Sequence, residues 1–174
     1  MYKVPSILRN NWILLTITTA IYVSGFVYGI TSADPVNKSG SLNTTSSLIH
    51  LIDNNLLACG LIISGFFTFG LTTILYLFTN GLILGESIMN NLDFGVLKIV
   101  LLILPHGIFE IPALIVSGVI GFKGIALIPQ LFHKKNISNF IKDYFTNILL
   151  LLIVVMLFVM ISGLIETYLT PLFK

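Results

Sequence analysis

Long apolar runs alternate with short polar breaks along most of this chain, and that alternation predicts its elements. A hydrocarbon core of about 30 Å needs about 20 helical residues, so the run from Trp12 to Ile30 reads as a first span. A secretory signal cleaved at Thr31-Ser32-Ala33 is the rival reading. Its apolar stretch would be too long, and Trp12 with the two tyrosines suits interfacial anchoring of an uncleaved helix. Residues 31–47 are polar and predict a loop. From Leu48 to Leu57 apolar pairs alternate with His50, Asp53, Asn54 and Asn55, the pattern of a short amphipathic helix at the interface or the bundle mouth. A second span is expected over 56–79, studded with Gly60, Ser64, Gly65 and Gly70 as in helices that pack closely. Residues 81–104 are ambiguous, either crossing or re-entrant. Further spans are expected over 105–122 and 148–166.

Charge orders these spans. The stretch from Lys123 to Asp143 carries Lys123, Lys134, Lys135 and Lys142 and reads as a cytoplasmic loop, and Lys3 and Arg9 place the N-terminus on the same side. An even number of crossings must separate the two, so 81–104 supplies a crossing and the total becomes about five. Only 9% of residues are charged, 56% are hydrophobic and mean hydropathy is +1.00, against about a quarter charged in soluble domains. The expected fold is therefore all-α, a polytopic transmembrane bundle forming one integral-membrane domain over 1–174. The lipid bilayer is its first partner. A net charge of +2 gives no reason to expect nucleic acid. The single Cys59 excludes an intramolecular disulfide. Abundant Ile and Asn, with lysine far outnumbering arginine, point to an AT-rich bacterial genome.

The candidate chemistry lies in Pro105-His106-Gly107-Ile108-Phe109-Glu110-Ile111-Pro112-Ala113. Residues four apart share a helix face, so His106 and Glu110 can touch each other or one common partner. Charged groups cost roughly 2.5 to 3.5 kcal/mol each at the centre of a membrane helix, which makes such a pair a functional-site candidate. The two prolines free backbone carbonyls that need new partners. Along the same face Ala113, Ser117 and Gly121 form a small-residue stripe that lets another backbone approach, as do Gly107 and the Gly81-x-x-x-Gly85 pair. The opposite face, with Ile108, Ile111, Leu114, Ile115 and Val119, suits lipid or packing.

The plain reading of His106 and Glu110 is a structural clamp, and the sharper one is metal or proton chemistry. His50, Asp53, Asn54, Asn80 and Glu86 are candidates to join them in one polar cluster. Asn80 also suits a helix C-cap, and Glu86 either faces the bundle or water. A metal form would be zinc on His50, His106 and Glu110, with Asp53 or Asn80 toward the usual four donors. His133, Asn147 and Glu166 sit at span ends or in loops and read as solvated. No nucleophile with a nearby base supports enzyme chemistry.

These residues carry a family likeness. The Asn54-Asn55 start, the glycine-studded second span, Asn80-Gly81-x-x-x-Gly85 and above all Leu104-Pro-His-Gly-Ile-Phe-Glu-Ile-Pro-Ala113 resemble the stage II sporulation protein M family. The resemblance covers about 12–164, and its matching positions are Asn54, Asn80, Gly81, Gly85, His106, Gly107, Glu110 and Pro112. It implies a multi-pass protein of the bacterial cytoplasmic membrane with about five helices. It also implies one of two roles. One branch assists maturation, cyclisation or export of circular bacteriocin peptides, beside a transporter partner. The sporulation member works with peptidoglycan hydrolases during engulfment. This short chain looks more like the first. An intramembrane metallo-hydrolase centred on His106 and Glu110 stays as an alternative, as does a channel or proton-coupled transporter.

Overall fold

The computed structural model describes residues 4–33, 48–133 and 137–173. Most of the polar loop, Lys3, Lys134 and Lys135 lie outside them. Five helices follow one another: α1 (Val4–Ser32), α2 (Leu48–Ile63), α3 (Leu71–Asn90), α4 (Val96–His133) and α5 (Ile137–Tyr168). Short 3-10 turns at Ser64–Phe66, Leu92–Phe94 and Thr170–Phe173 complete the described elements. All five helices are long and apolar enough to cross a membrane. Large apolar side chains such as Trp12, Leu71, Leu97 and Leu149 point outward and are exposed. Such a surface fits hydrocarbon, whereas water would make it an aggregation hazard.

The number of spans agrees with expectation, but their boundaries fall elsewhere. Residues 48–57 are not a separate interfacial helix; they are the first turns of α2. The chain then reverses at 64–70, inside the stretch expected as one span over 56–79. Phe69 and Gly70 both take positive φ, 52° and 80°, and the Gly70 N–H returns to the Gly65 carbonyl at 2.7 Å. Consecutive left-handed residues end a helix, and glycine adopts that conformation without penalty. Ser64, Thr68 and Thr72 tie the reversal together through hydroxyl contacts of 2.9 and 3.0 Å. Because the stretch from Ile62 to Phe78 is largely apolar, the glycines read as packing notches although one of them is a turn.

The expected break at Pro105 is also absent. The helix α4 runs unbroken through Pro105, Pro112 and Pro129, although an interior proline costs about 3 kcal/mol in an isolated helix. Close packing between Pro112 and Pro129 offsets part of this. From Ala113 to Gly124 all residues but Ile115 are buried, so α4 is the central helix and Leu114 and Val119 meet protein, not lipid. Its small residues receive the neighbours. A Cβ on Gly118 would meet Leu77 and Thr18, one on Gly121 would meet Thr73 and the Ile62 carbonyl, and one on Gly124 the Phe66 carbonyl. The helix α5 packs antiparallel on α4 with Tyr144, Ile148, Leu151, Val155, Val159 and Ser162, a three-and-four spacing that keeps one face inward.

Two glycine pairs join α1 to α3. A Cβ on Gly25 or Gly29 would strike the carbonyl of Phe78 or Leu82, and one on Gly81 or Gly85 that of Tyr22 or Phe26. Contacts that advance together along both helices make them parallel, as two helices separated by one return crossing must be.

Lys123 is corrected as well. The stretch from Lys123 to Asp143 is mostly helix, since α4 continues to His133 and α5 begins at Ile137. Lys123 is 7% exposed, with Nζ 4.8 Å from the Tyr144 ring centroid, and the Tyr144 hydroxyl donates to the Lys123 backbone carbonyl. Asn147, read as solvated, accepts a bond from Asn11 at 3.2 Å and so links α5 to α1.

Substitution at the glycines tests this packing. Gly81→Leu should lower stability by about 1–3 kcal/mol or more, because backbone on the facing helix cannot yield. Gly60→Leu, with nothing within 4 Å of its Cβ, should be neutral. Denaturation in mixed detergent micelles reads both. Ser117→Leu should likewise cost about 1–3 kcal/mol, since Ser117 is fully buried, while Ser117→Ala should stay close to the parent in the same assay.

Candidate functional site

On the central helix α4, His106 and Glu110 stand one turn apart and are both half-buried. No hydrogen bond or ion pair joins their side chains among the described residues. The partner comes from α5. The Ser162 hydroxyl donates to the His106 carbonyl at 3.2 Å, and Phe109 meets Phe158 edge-on at 6.1 Å, which fixes the antiparallel register. Glu166 lies one turn beyond Ser162. Helical side chains lean toward their own N-terminus. In an antiparallel pair those directions oppose each other, so Glu110 and Glu166 lean toward the same level. Glu166 accordingly interacts electrostatically with both His106 and Glu110.

Other helices close the space around Glu110. Tyr22 of α1 and Cys59 of α2 lie within its electrostatic reach, both buried, with Cys59 beside Ser117. Ser117 in turn donates to the Ala113 carbonyl at 2.8 Å. The site thus draws on groups of α1, α2, α4 and α5. One of its atoms has no partner: His106 Nδ1 is buried and makes no hydrogen bond. Buried polar atoms of this kind are uncommon in folded proteins.

The remaining candidates are placed as follows. His50, Asp53 and Asn54 are exposed on the first turns of α2, while Asn55 is buried at 7% exposure. Asn80 lies within α3 and donates to the Tyr76 carbonyl of its own helix at 2.7 Å, so it caps no helix end. Glu86 is half-buried on α3. Gly107 differs from the other small residues, since a Cβ there would meet only Ile103 and Ile111 of the same helix. Among the described residues no group of three or more His, Cys, Asp and Glu is arranged to hold a metal ion, the set His50, His106 and Glu110 included.

Sequence reading missed Glu166, taken there as solvated, and Ser162 and Tyr22 with it. The signal was present: the inward spacing of α5 through 155, 159 and 162 continues to 166. Its place near the end of the last apolar run hid it.

Beside the site an apolar groove of about 510 Å³ opens between α1, α3 and α4, lined among others by Phe26, Leu84, Ile103, Gly107, Ile111 and Pro112. Its wall includes the immediate neighbours of His106 and Glu110 in the chain.

No solved structure matches the chain. An uncharacterized protein of Methanocaldococcus jannaschii is 30% identical over 166 residues, covering 90% of this chain and 93% of the relative. The stage II sporulation protein M profile matches residues 11–171, which contain the whole five-helix bundle from Asn11 onward together with His106, Glu110 and Glu166. The chain therefore belongs to the stage II sporulation protein M family.

Proposed function

We propose that this chain assists the maturation or export of a circular bacteriocin peptide, acting from the bacterial cytoplasmic membrane with its N-terminus in the cytoplasm. The observation that carries this reading is the adjacency along α4 of two features: the half-buried polar pair His106 and Glu110, and the apolar groove at Gly107 and Pro112. An apolar peptide with polar ends needs both kinds of surface. Ligand sites commonly combine an apolar wall with a few convergent polar groups. Spanning helices fill nearly all of the described chain, which supports work within the bilayer more than recruitment of large peptidoglycan hydrolases. Transporter subunits are partners for such a role, through the exposed apolar helix faces. Deleting the gene in a producing strain should abolish the mature circular peptide in culture medium, read by mass spectrometry, and complementation should restore it. Unchanged peptide with a block in engulfment would replace this reading by the sporulation role.

The site's chemistry is tested by graded substitution. Glu110→Gln keeps shape and removes the charge. If the carboxylate acts as a charge, Gln should abolish peptide production with protein abundance intact; if it only clamps helices, Gln should retain both. Glu110→Ala should lower abundance in either case, because it leaves a cavity.

Orientation has its own test. In a Cys59→Ser background, an impermeant thiol reagent applied to intact cells should label Gly40→Cys and spare Lys135→Cys. The expectation follows from the lysines near position 135 and the basic N-terminus. Labelling at position 135 would reverse the topology.

A further inference from the structure

We infer that the groove between α1, α3 and α4 holds a single acyl chain of a membrane phospholipid, and that Gly107 is the residue that keeps the groove open for it. The inference goes beyond the proposed peptide role. The lipid chain occupies the groove before any peptide arrives, and a peptide's apolar side chains enter only by displacing it.

Shape sets the first limit. On α4 the lining runs from Val96 to Pro112, about 24 Å along the axis at 1.5 Å per residue. A volume of about 510 Å³ drawn out over that length makes a narrow groove. An α-helix, about 10–12 Å across with its side chains, would need roughly 2,000 Å³ over the same distance. A whole helix, from a second copy or from another protein, therefore does not fit. At mid-length lies Gly107, buried between Ile103 and Ile111 of its own helix. Among the described residues no atom of another helix comes within 4 Å of a Cβ placed there. At Gly81, Gly85, Gly118, Gly121 and Gly124 the same position runs into a neighbouring segment of the chain. Those glycines admit a neighbour. Gly107 instead leaves room that no part of the described chain fills.

Chemistry sets the second limit. Every residue lining the groove is apolar. An extended peptide would carry backbone N–H and C=O groups into it without partners, which an apolar environment penalises at each residue. A hydrocarbon chain brings no polar atom. The bilayer supplies such a chain, because Val96, Val100, Leu104 and Ile108 line the groove and are also between 41% and 65% exposed. The groove thus opens sideways onto the outer surface of helices long and apolar enough to cross a membrane. Left empty, its walls forfeit dispersion contacts that an inserted chain restores. At one end the lining reaches Leu92, next to the polar run Asn90, Asn91 and Asp93. A phospholipid entering there keeps its headgroup at the polar boundary while the acyl chain follows α4 toward Pro112.

The test uses full-length protein loaded with a phosphatidylcholine that carries a photoreactive diazirine on its acyl chain. The sample is washed in maltoside detergent, which strips lipid from the outer faces, then irradiated, and peptide mass spectrometry maps the attached lipid. Label that survives the wash should sit on Leu84, Ile103 and Ile111 and be absent from Leu149 and Leu157, which are exposed on α5. Gly107→Leu puts a side chain into the groove without striking another helix, so it should abolish the wash-resistant label with helix content and unfolding temperature retained. Gly60→Leu, in open space on α2, should keep the label. Should Gly107→Leu fail to fold, Ile103→Phe narrows the same groove and takes its place. Absence of wash-resistant label at the groove, or label that survives the filling substitutions, overturns the inference. So does a disulfide between two copies at Ile103→Cys in a Cys59→Ser background, which would give the groove to a second chain. Retained lipid without any bacteriocin phenotype sinks only the peptide role.

Discussion

Contact between helix backbones at small residues is the constraint on which the rest of this structure depends. In a bilayer apolar side chains gain little by leaving lipid for protein, so helices associate through close packing and polar contacts. Here glycines supply the closeness. Gly25 and Gly29 face Gly81 and Gly85 across α1 and α3, and Gly118, Gly121 and Gly124 open the central helix to its neighbours. With α4 enclosed from Ala113 to Gly124, an uninterrupted helix carries His106 and Glu110 alongside the bundle's core.

The same enclosure creates the chemical tension of the site. Buried hydroxyls elsewhere resolve their needs locally: Thr18 and Ser117 bond their own helix, and Thr73 donates to the Ile62 carbonyl at 2.8 Å. The site at His106 does not resolve itself in this way. It brings a histidine and a glutamate of α4 against α5 and leaves His106 Nδ1 without a hydrogen bond among the described residues. A purely structural device would be expected to satisfy its own members, because a half-satisfied polar network costs more than an apolar core. The unfinished hydrogen bonding is what separates this region from the rest of the core.

A second polar locus lies toward the opposite end, where Lys123 sits against Tyr144 and Asn11 pairs with Asn147. The two loci differ in kind, a histidine with carboxyl groups on one side and a buried lysine against a tyrosine ring on the other.

The sequence by itself determined the class, the number of spans and the central motif. Each rests on a local rule: about 20 apolar residues cross a bilayer, low charge excludes a soluble domain, and residues four apart share a face. It could not place the reversal at Phe69 and Gly70, because a glycine that turns and a glycine that packs look alike within an apolar run. It could not show that α4 passes through three prolines, since the offsetting contacts come from four other helices. Glu166 reached the site only through tertiary structure. Its partner residues are more than 50 positions away, and the level at which α5 meets α4 is set by side-chain interdigitation, not by either helix alone. The same holds for Lys123, whose burial depends on where α5 lies. Spacing within one helix is written in the chain, whereas register between helices is decided by packing.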